Sequence, residues 1–267
     1  MSLALRGGRG AFLLEKWYLD TLLPDGGVLI VYLAWMRILG VPIGRVTAEL
    51  FEADGSVRAG ASPARRVLGG ASSLAFGPAR IDGERLAFAT DGLAGELRFR
   101  PRRSPVEPRM PFLEQDGRRL LWTIEVPDAD VSGELRWPGG GRSIVGRGYR
   151  DRVWFDLPPW RFPIRELLWG RAIGGDHSVA WVRATTAGET IAFHVEDGRA
   201  GRGEPPTLRD SRVLVDSDVA DLAGLRLGIL GPLLRRMTGD PHETKWRATA
   251  TVAGEDARAV HEKVVWR

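Results

Sequence analysis

The sequence predicts an all-β protein built as two similar halves, each a sandwich or barrel. Three observations lead there: strand-like alternation through most of the chain, a high density of Asp-Gly turn pairs, and a short motif that recurs after about half the length. The chain has 267 residues, 43% hydrophobic and 27% charged. These are ordinary globular values and exclude global disorder. It is long enough for one large domain or two of modest size, either with a substantial core.

Strand signals come first. Arg45–Glu52 (RVTAELFE), Glu96–Arg100 (ELRFR), Ser178–Thr185 (SVAWVRAT) and Trp246–Val252 (WRATATV) alternate, or are rich in β-branched and aromatic residues. Between such runs stand Asp25-Gly26, Asp54-Gly55, Asp82-Gly83, Asp91-Gly92, Asp116-Gly117 and Asp197-Gly198. Glycine supplies the positive φ of primed turns, so each pair predicts a hairpin. A single segment, 218–237, reads as helix, with Leu222, Leu225, Leu230, Leu233 and Leu234 among its apolar positions. Gly231-Pro232 should kink it.

The recurring motif is Tyr-x-Asp. Glu15–Asp20 reads EKWYLD and Arg147–Arg152 reads RGYRDR, with Tyr18/Asp20 and Tyr149/Asp151 offset by 131 residues. Each is followed by a loop and an aromatic-rich strand, Val28–Trp35 and Glu166–Gly174. This order predicts two β domains, residues 1–136 and 137–267. The boundary is expected between Gly133 and Gly141, with Trp137–Gly141 (WPGGG) as connector. Arg100–Arg109, with four arginines and three prolines, reads as a solvated loop rather than a nucleic-acid arm, because no aromatic interleaves with its arginines.

Composition narrows the chemistry. There is no cysteine, which excludes disulfides, thiolate metal sites and a cysteine nucleophile. The four histidines, His177, His194, His242 and His261, lack metal-ligand spacing, and no metal or organic cofactor is expected. GxSxG and GxxxxGK[ST] are absent, as is a GxGxxG between strand and helix. The net charge of +4 comes from a base population that is nearly all arginine, too diffuse for a nucleic-acid footprint. The most apolar run, Val28–Trp35, is far shorter than a membrane span. A cytoplasmic protein with at most peripheral membrane contact, through 222–234, is expected.

The remaining constellation is Gly146–Ala172 (GRGYRDRVWFDLPPWRFPIRELLWGRA). Alternation puts Tyr149, Asp151, Val153 and Phe155 on one face of a strand and Arg150, Arg152, Trp154 and Asp156 on the other. The cost of burying two arginines predicts that the Asp151 face is the interior. Asp151 is then either a structural carboxylate, paired with turn amides or Arg171, or an acid whose burial favours its protonated form. The second can deliver a proton to an apolar substrate. The ten tryptophans are mostly core, and they also suit an aromatic-lined cavity for a polyene-like or polycyclic ligand.

EKWYLD, GRGYRDRVWFDLPPW, LLWGRA and TGDPHETKWRATATV together resemble the carotenoid 1,2-hydratase/AttH group. This is the hydroxyneurosporene synthase-like, lipocalin-like CrtC family, distantly related to tocopherol cyclases and fungal Diels–Alderases. The resemblance spans nearly the whole chain. It implies two tandem lipocalin-like β domains with a lipophilic pocket at or near their interface, and a cofactor-free enzyme. Asp151 matches the aspartate proposed as proton donor to an alkene, with Tyr149 its motif partner. Trp17, Tyr18, Trp122, Trp154, Phe155, Trp169 and Arg171 are the implied substrate-binding residues. Where family members carry histidines around that aspartate, this chain has Arg150 and Arg152, and no histidine precedes His177. That departure favours proton-initiated cyclisation or shape-driven pericyclic catalysis over hydration. A non-catalytic lipophile carrier is the third reading.

Overall fold

The structure, a computed structural model, describes all residues except 1, 8–9, 108–111, 159–160, 202, 220–239 and 267, and the side chain of residue 210. The chain is all-β. It divides into two compact units, residues 1–156 and 157–267, each formed by one curled antiparallel sheet, as expected of tandem lipocalin-like domains.

In the first unit β1 (Phe12–Leu22), β2 (Val28–Ile38), β3 (Val41–Phe51) and β4 (Val57–Pro63) form a meander. Short strands β5 (Val67–Gly69), β6 (Ser73–Phe76), β7 (Ala79–Asp82), β8 (Arg85–Ala89) and β9 (Ala94–Pro101) form a second. They are joined through two long strands, β11 (Arg118–Trp137) and β12 (Gly140–Phe155), and β10 (Leu113–Gln115) pairs with the start of β11. The sheet runs β4-β3-β2-β1-β12-β11-β9-β8-β7-β6-β5. It curls until its ends approach: the Ala61 amide donates to Asp91 Oδ1 at 2.7 Å, across the β8–β9 turn. A Cβ on Gly77 would meet the Ala64 backbone, so only glycine fits that closure. The core inside the curl contains Trp17 and Leu19 of β1, Val31 and Leu33 of β2, Val46 and Ala48 of β3, and Phe76, Phe88 and Phe99 from the short strands.

The second unit holds β13 (Glu166–Gly174), β14 (His177–Thr185), β15 (Thr190–Glu196), β16 (Arg199–Gly201), β17 (Leu208–Asp218), β18 (His242–Val252) and β19 (Glu255–Val265). They are ordered β16-β15-β14-β13-β19-β18-β17. Its core is largely small: Ala172, Ala248, Ala250, Ala257 and Ala259, with Val179, Trp181 and Val252. Gly170 is bare because Trp181 lies across it; an added Cβ would sit 2.2 Å from the indole.

All six Asp-Gly pairs lie at strand-to-strand connections, and the expected strand runs fall within β2, β3, β9, β13, β14 and β18, give or take an end residue. Two expectations are corrected. Trp137–Gly141 is not a connector: Gly139, at φ 83°, turns the β11–β12 hairpin inside the first unit. The two long strands pair along their whole length, which carries the first unit on to Asp156. Nor do the two Tyr-x-Asp motifs mark equivalent places in two domains. Both belong to the first unit, on neighbouring strands. The expected helix, 218–237, lies outside the described residues from 220 onward, and Asp218 closes β17. Among the described residues no helix is long and apolar enough to cross a membrane.

Candidate active site

Strands β1 and β12 run antiparallel, with Tyr18 opposite Asp151 and Asp20 opposite Tyr149. Two copies of one short motif thus meet in a local pseudo-twofold pair, all four side chains on the same face of the sheet. β11 continues that face, placing Ile124 opposite Asp151 and Trp122 opposite Val153. β2 extends it on the other side, with Tyr32 opposite Tyr18.

The four motif side chains and Trp122 are between 0 and 3% exposed. Tyr18 donates its hydroxyl hydrogen to Asp20 Oδ2 at 2.7 Å, and Tyr149 does the same to Asp151 Oδ2 at 3.0 Å. Asp151 Oδ2 also accepts from Trp122 Nε1 at 2.8 Å. The tyrosine rings meet edge to face, Tyr18 with Tyr149 at 6.2 Å and with Tyr32 at 5.2 Å. Lys16 Nζ lies 5.0 Å from the centre of the Tyr32 ring. Two donors converging on Oδ2 define the chemistry of the carboxyl. In its neutral form the proton resides on Oδ1, since Oδ2 is committed as acceptor.

The orientation expected for β12 is reversed relative to the core. Arg150 stands opposite Leu19, and Arg152 opposite Trp17, so the arginine face looks toward the core cluster. Each arginine is neutralised there. Arg152 Nε donates to Glu15 Oε1 at 2.7 Å, and its Nη2 bonds the same oxygen. Nη1 and Nη2 reach the carbonyls of Ser2 and Ala4, at 3.0 and 2.6 Å, and the guanidinium lies 4.7 Å over the Trp17 ring. Burial pushes the Glu15 carboxyl up, and Arg152 draws it back only in part. Arg150 Nε pairs with Glu125 Oε2 at 2.9 Å. Carboxylates on adjacent strands, Glu15 on β1 and Glu125 on β11, are what allow the arginines to face inward. Glu125 reaches its partner from an irregular stretch of β11, between Ile124 and Ala129, where Pro127 interrupts the ladder. From the same stretch Asp128 pairs with Arg147 at 2.5 and 2.9 Å.

The structure therefore brings together Tyr18, Trp122, Tyr149 and Asp151. Phe155 shares their face at its far end, where it packs against Phe12 at 5.6 Å. Trp17 and Trp154 do not join them. Trp17 is in the core, and Trp154 donates its indole N–H to the Arg6 carbonyl on the arginine side. Trp169 and Arg171 belong to the second unit, both buried on one face of β13. Sequence reading took Trp122 for a wall residue and missed both its bond to Asp151 and the part played by Tyr32. The only sequence signal for either was parity along a strand whose register was unknown. Among the described residues, no three His, Asp or Glu side chains gather as metal ligands.

No family model matches the chain, and no curated protein matches it. Solved structures do. CghA, crystallised with Sch210972, aligns at a TM-score of 0.62 with 14% identity, over 95% of this chain and 88% of CghA. An AttH-type protein from Nitrosomonas europaea gives 0.60 and 14%, over 98% and 96% of the two chains. Kievitone hydratase from Nectria haematococca gives 0.55 and 10%, over 96% and 89%. At these identities the likeness is one of fold, and the fold is that of CghA, the AttH-type protein and kievitone hydratase: two tandem lipocalin-like β units.

Proposed function

We propose that this chain is a cofactor-independent enzyme that protonates an alkene of a lipophilic isoprenoid- or polyketide-type substrate, with Asp151 as the general acid. The observation that carries the reading is the Asp151 carboxyl itself, 2% exposed and held through one oxygen by Tyr149 and Trp122. Such an acid is fixed in direction and withdrawn from bulk water, as a general acid for an apolar substrate must be. Asp151 Oδ1–H gives its proton to the less substituted alkene carbon and a tertiary cation forms. A neighbouring alkene closes a ring on that cation, and loss of a proton or capture of water ends the reaction. Asp151 regains its proton from water. Tyr18, Tyr32, Tyr149 and Trp122 offer π faces that stabilise the cation. Two structures of this fold support an enzyme that acts on a small molecule, since one holds Sch210972 and another is a hydratase by name.

The test uses solvent deuterium. The protein is incubated in D2O with geranylgeraniol, squalene and a linear triene bearing a tethered alkene. Protonation places one deuterium on carbon in the product. The Asp151→Asn variant should keep its fold and lose about 10²–10⁴-fold in turnover. A cyclised product free of deuterium, formed equally by Asp151→Asn, would make the protein a pericyclase working by shape. Native mass spectrometry showing a bound lipophile released unchanged would make it a carrier.

A further inference from the structure

The hairpin joining β2 to β3 places a bulky residue where its turn favours a small or polar one. Its central residues, Leu39 and Gly40, have φ of 50° and 86°. The same left-handed pair recurs at Asp116-Gly117, Asp197-Gly198 and Ala253-Gly254. The first position of such a turn favours Asn, Asp or Gly, which tolerate positive φ. Aspartate or small alanine occupies it in the other three, and leucine only here. Leu39 is 73% exposed, and Val41 beside it 59%. Gly40 and Pro42 are also exposed, and Ile38 and Ile43 at the shoulders are half-buried. A strained backbone thus holds apolar side chains in solvent at the tip of an arm.

The flanking sequence is basic. Residues 28–48 and 59–72 contain Arg37, Arg45, Arg65 and Arg66 and no carboxylate. The Ala64 amide donates to the Gly44 carbonyl at 2.8 Å, which sets the exposed Arg65 and Arg66 beside the arm. Gly44 lies four residues behind Gly40, roughly 13 Å along an extended strand. An arginine side chain placed there reaches the headgroup layer when the tip enters the acyl boundary.

We propose that the β2–β3 hairpin docks on an anionic lipid bilayer, with Leu39 and Val41 inserted at the interface and the exposed Arg65 and Arg66 over the headgroups. Apolar insertion plus basic residues is the pair of signals that reversible interfacial binding requires. This goes beyond the catalytic reading and stands whether or not Asp151 transfers a proton.

The experiment is vesicle flotation of the full chain, with phosphatidylcholine alone and with 30% phosphatidylglycerol. Wild type should float with the anionic vesicles and much less with the neutral ones. Leu39→Asn suits the left-handed turn, so it should melt no lower than wild type while its vesicle partition falls about tenfold. The double change Arg65→Ser/Arg66→Ser should lower binding to anionic vesicles by about fivefold per arginine and leave binding to neutral vesicles unchanged. Failure of wild type to bind either vesicle, or undiminished binding by Leu39→Asn, overturns the proposal. So does a wild-type dimer that Leu39→Asn converts to monomer without any vesicle binding, which would make the tip a contact between copies of this chain.

Discussion

The two faces of β12 bury ionisable groups in opposite ways. On one, Arg150 and Arg152 enter the core side with Glu125 and Glu15 as counter-charges, and each pair is structural. On the other, Asp151 and Asp20 are buried with tyrosine and tryptophan donors, groups that hydrogen-bond without carrying charge. A full counter-charge fixes the protonation state of its partner more firmly than a neutral donor does. The difference separates the face that holds the fold from the face to which we assign acid chemistry.

The strongest way to break this comparison is to remove one charge from the structural face. Glu15→Gln leaves the buried Arg152 cation, which has no means of shedding its proton, and should cost about 3–5 kcal/mol of stability. Arg152→Met should cost less, because the stranded Glu15 carboxyl can take up a proton. Its pKa, already raised by burial, then rises further. A group with a raised folded pKa stabilises below its unfolded value near 4.5 and loses that contribution as pH climbs through the folded value. Urea melts should therefore show Arg152→Met closer to wild type at pH 4.5 than at pH 8. Equal costs for both variants at both pH values would mean that the pair is not the anchor of that face.

On the other face the two Tyr–Asp pairs provide an internal control. Tyr18→Phe and Tyr149→Phe each delete one hydrogen bond to a buried carboxyl and should cost about 1.5 kcal/mol alike. Turnover should separate them. Loss of the Tyr149 hydroxyl frees the acid from one of its two positioning donors and should slow solvent-deuterium incorporation about tenfold, and Tyr18→Phe should leave it within threefold. Equal slowing by both would assign the chemistry to the pair of motifs rather than to Asp151.

How much of this was legible in the sequence depends on range. Local signals held: the Asp-Gly pairs gave hairpins, and alternation correctly divided Tyr149 and Asp151 from Arg150 and Arg152. Parity along one strand states which residues share a face but not which face meets the core. That was decided by Glu15, 137 residues from Arg152 in sequence. The Tyr-x-Asp recurrence was real, but its meaning lay in strand pairing across the sheet rather than in a repeated domain. Long-range register has no local signature, so the Trp122–Asp151 bond, 29 residues apart, was equally out of reach.

A third manner of burial sharpens the contrast, at the smallest expected cost. His261 on β19 faces Gly170 and Trp246 in register, its ring stacked on Trp246 at 4.8 Å and 11°. Its buried Nε2 makes no hydrogen bond, and desolvation lowers its pKa from 6.5 to about 4. This base has neither counter-charge nor donor network, and it is buried simply by staying neutral. Its contribution is fully present above pH 6.5. As pH falls from 6.5 toward 4 the unfolded chain takes up a proton that the folded chain refuses, and stability declines. One proton sets a slope of at most about 1.4 kcal/mol per pH unit, and partial exposure of the ring makes it shallower here. His261→Gln, which cannot titrate, should flatten that decline while leaving the Arg152→Met pH response in the first unit untouched. Urea midpoints followed by tryptophan fluorescence at pH 7.5 and 5 would read both. An unchanged slope in His261→Gln would place the acid sensitivity on other groups and leave the stacked imidazole a packing residue alone.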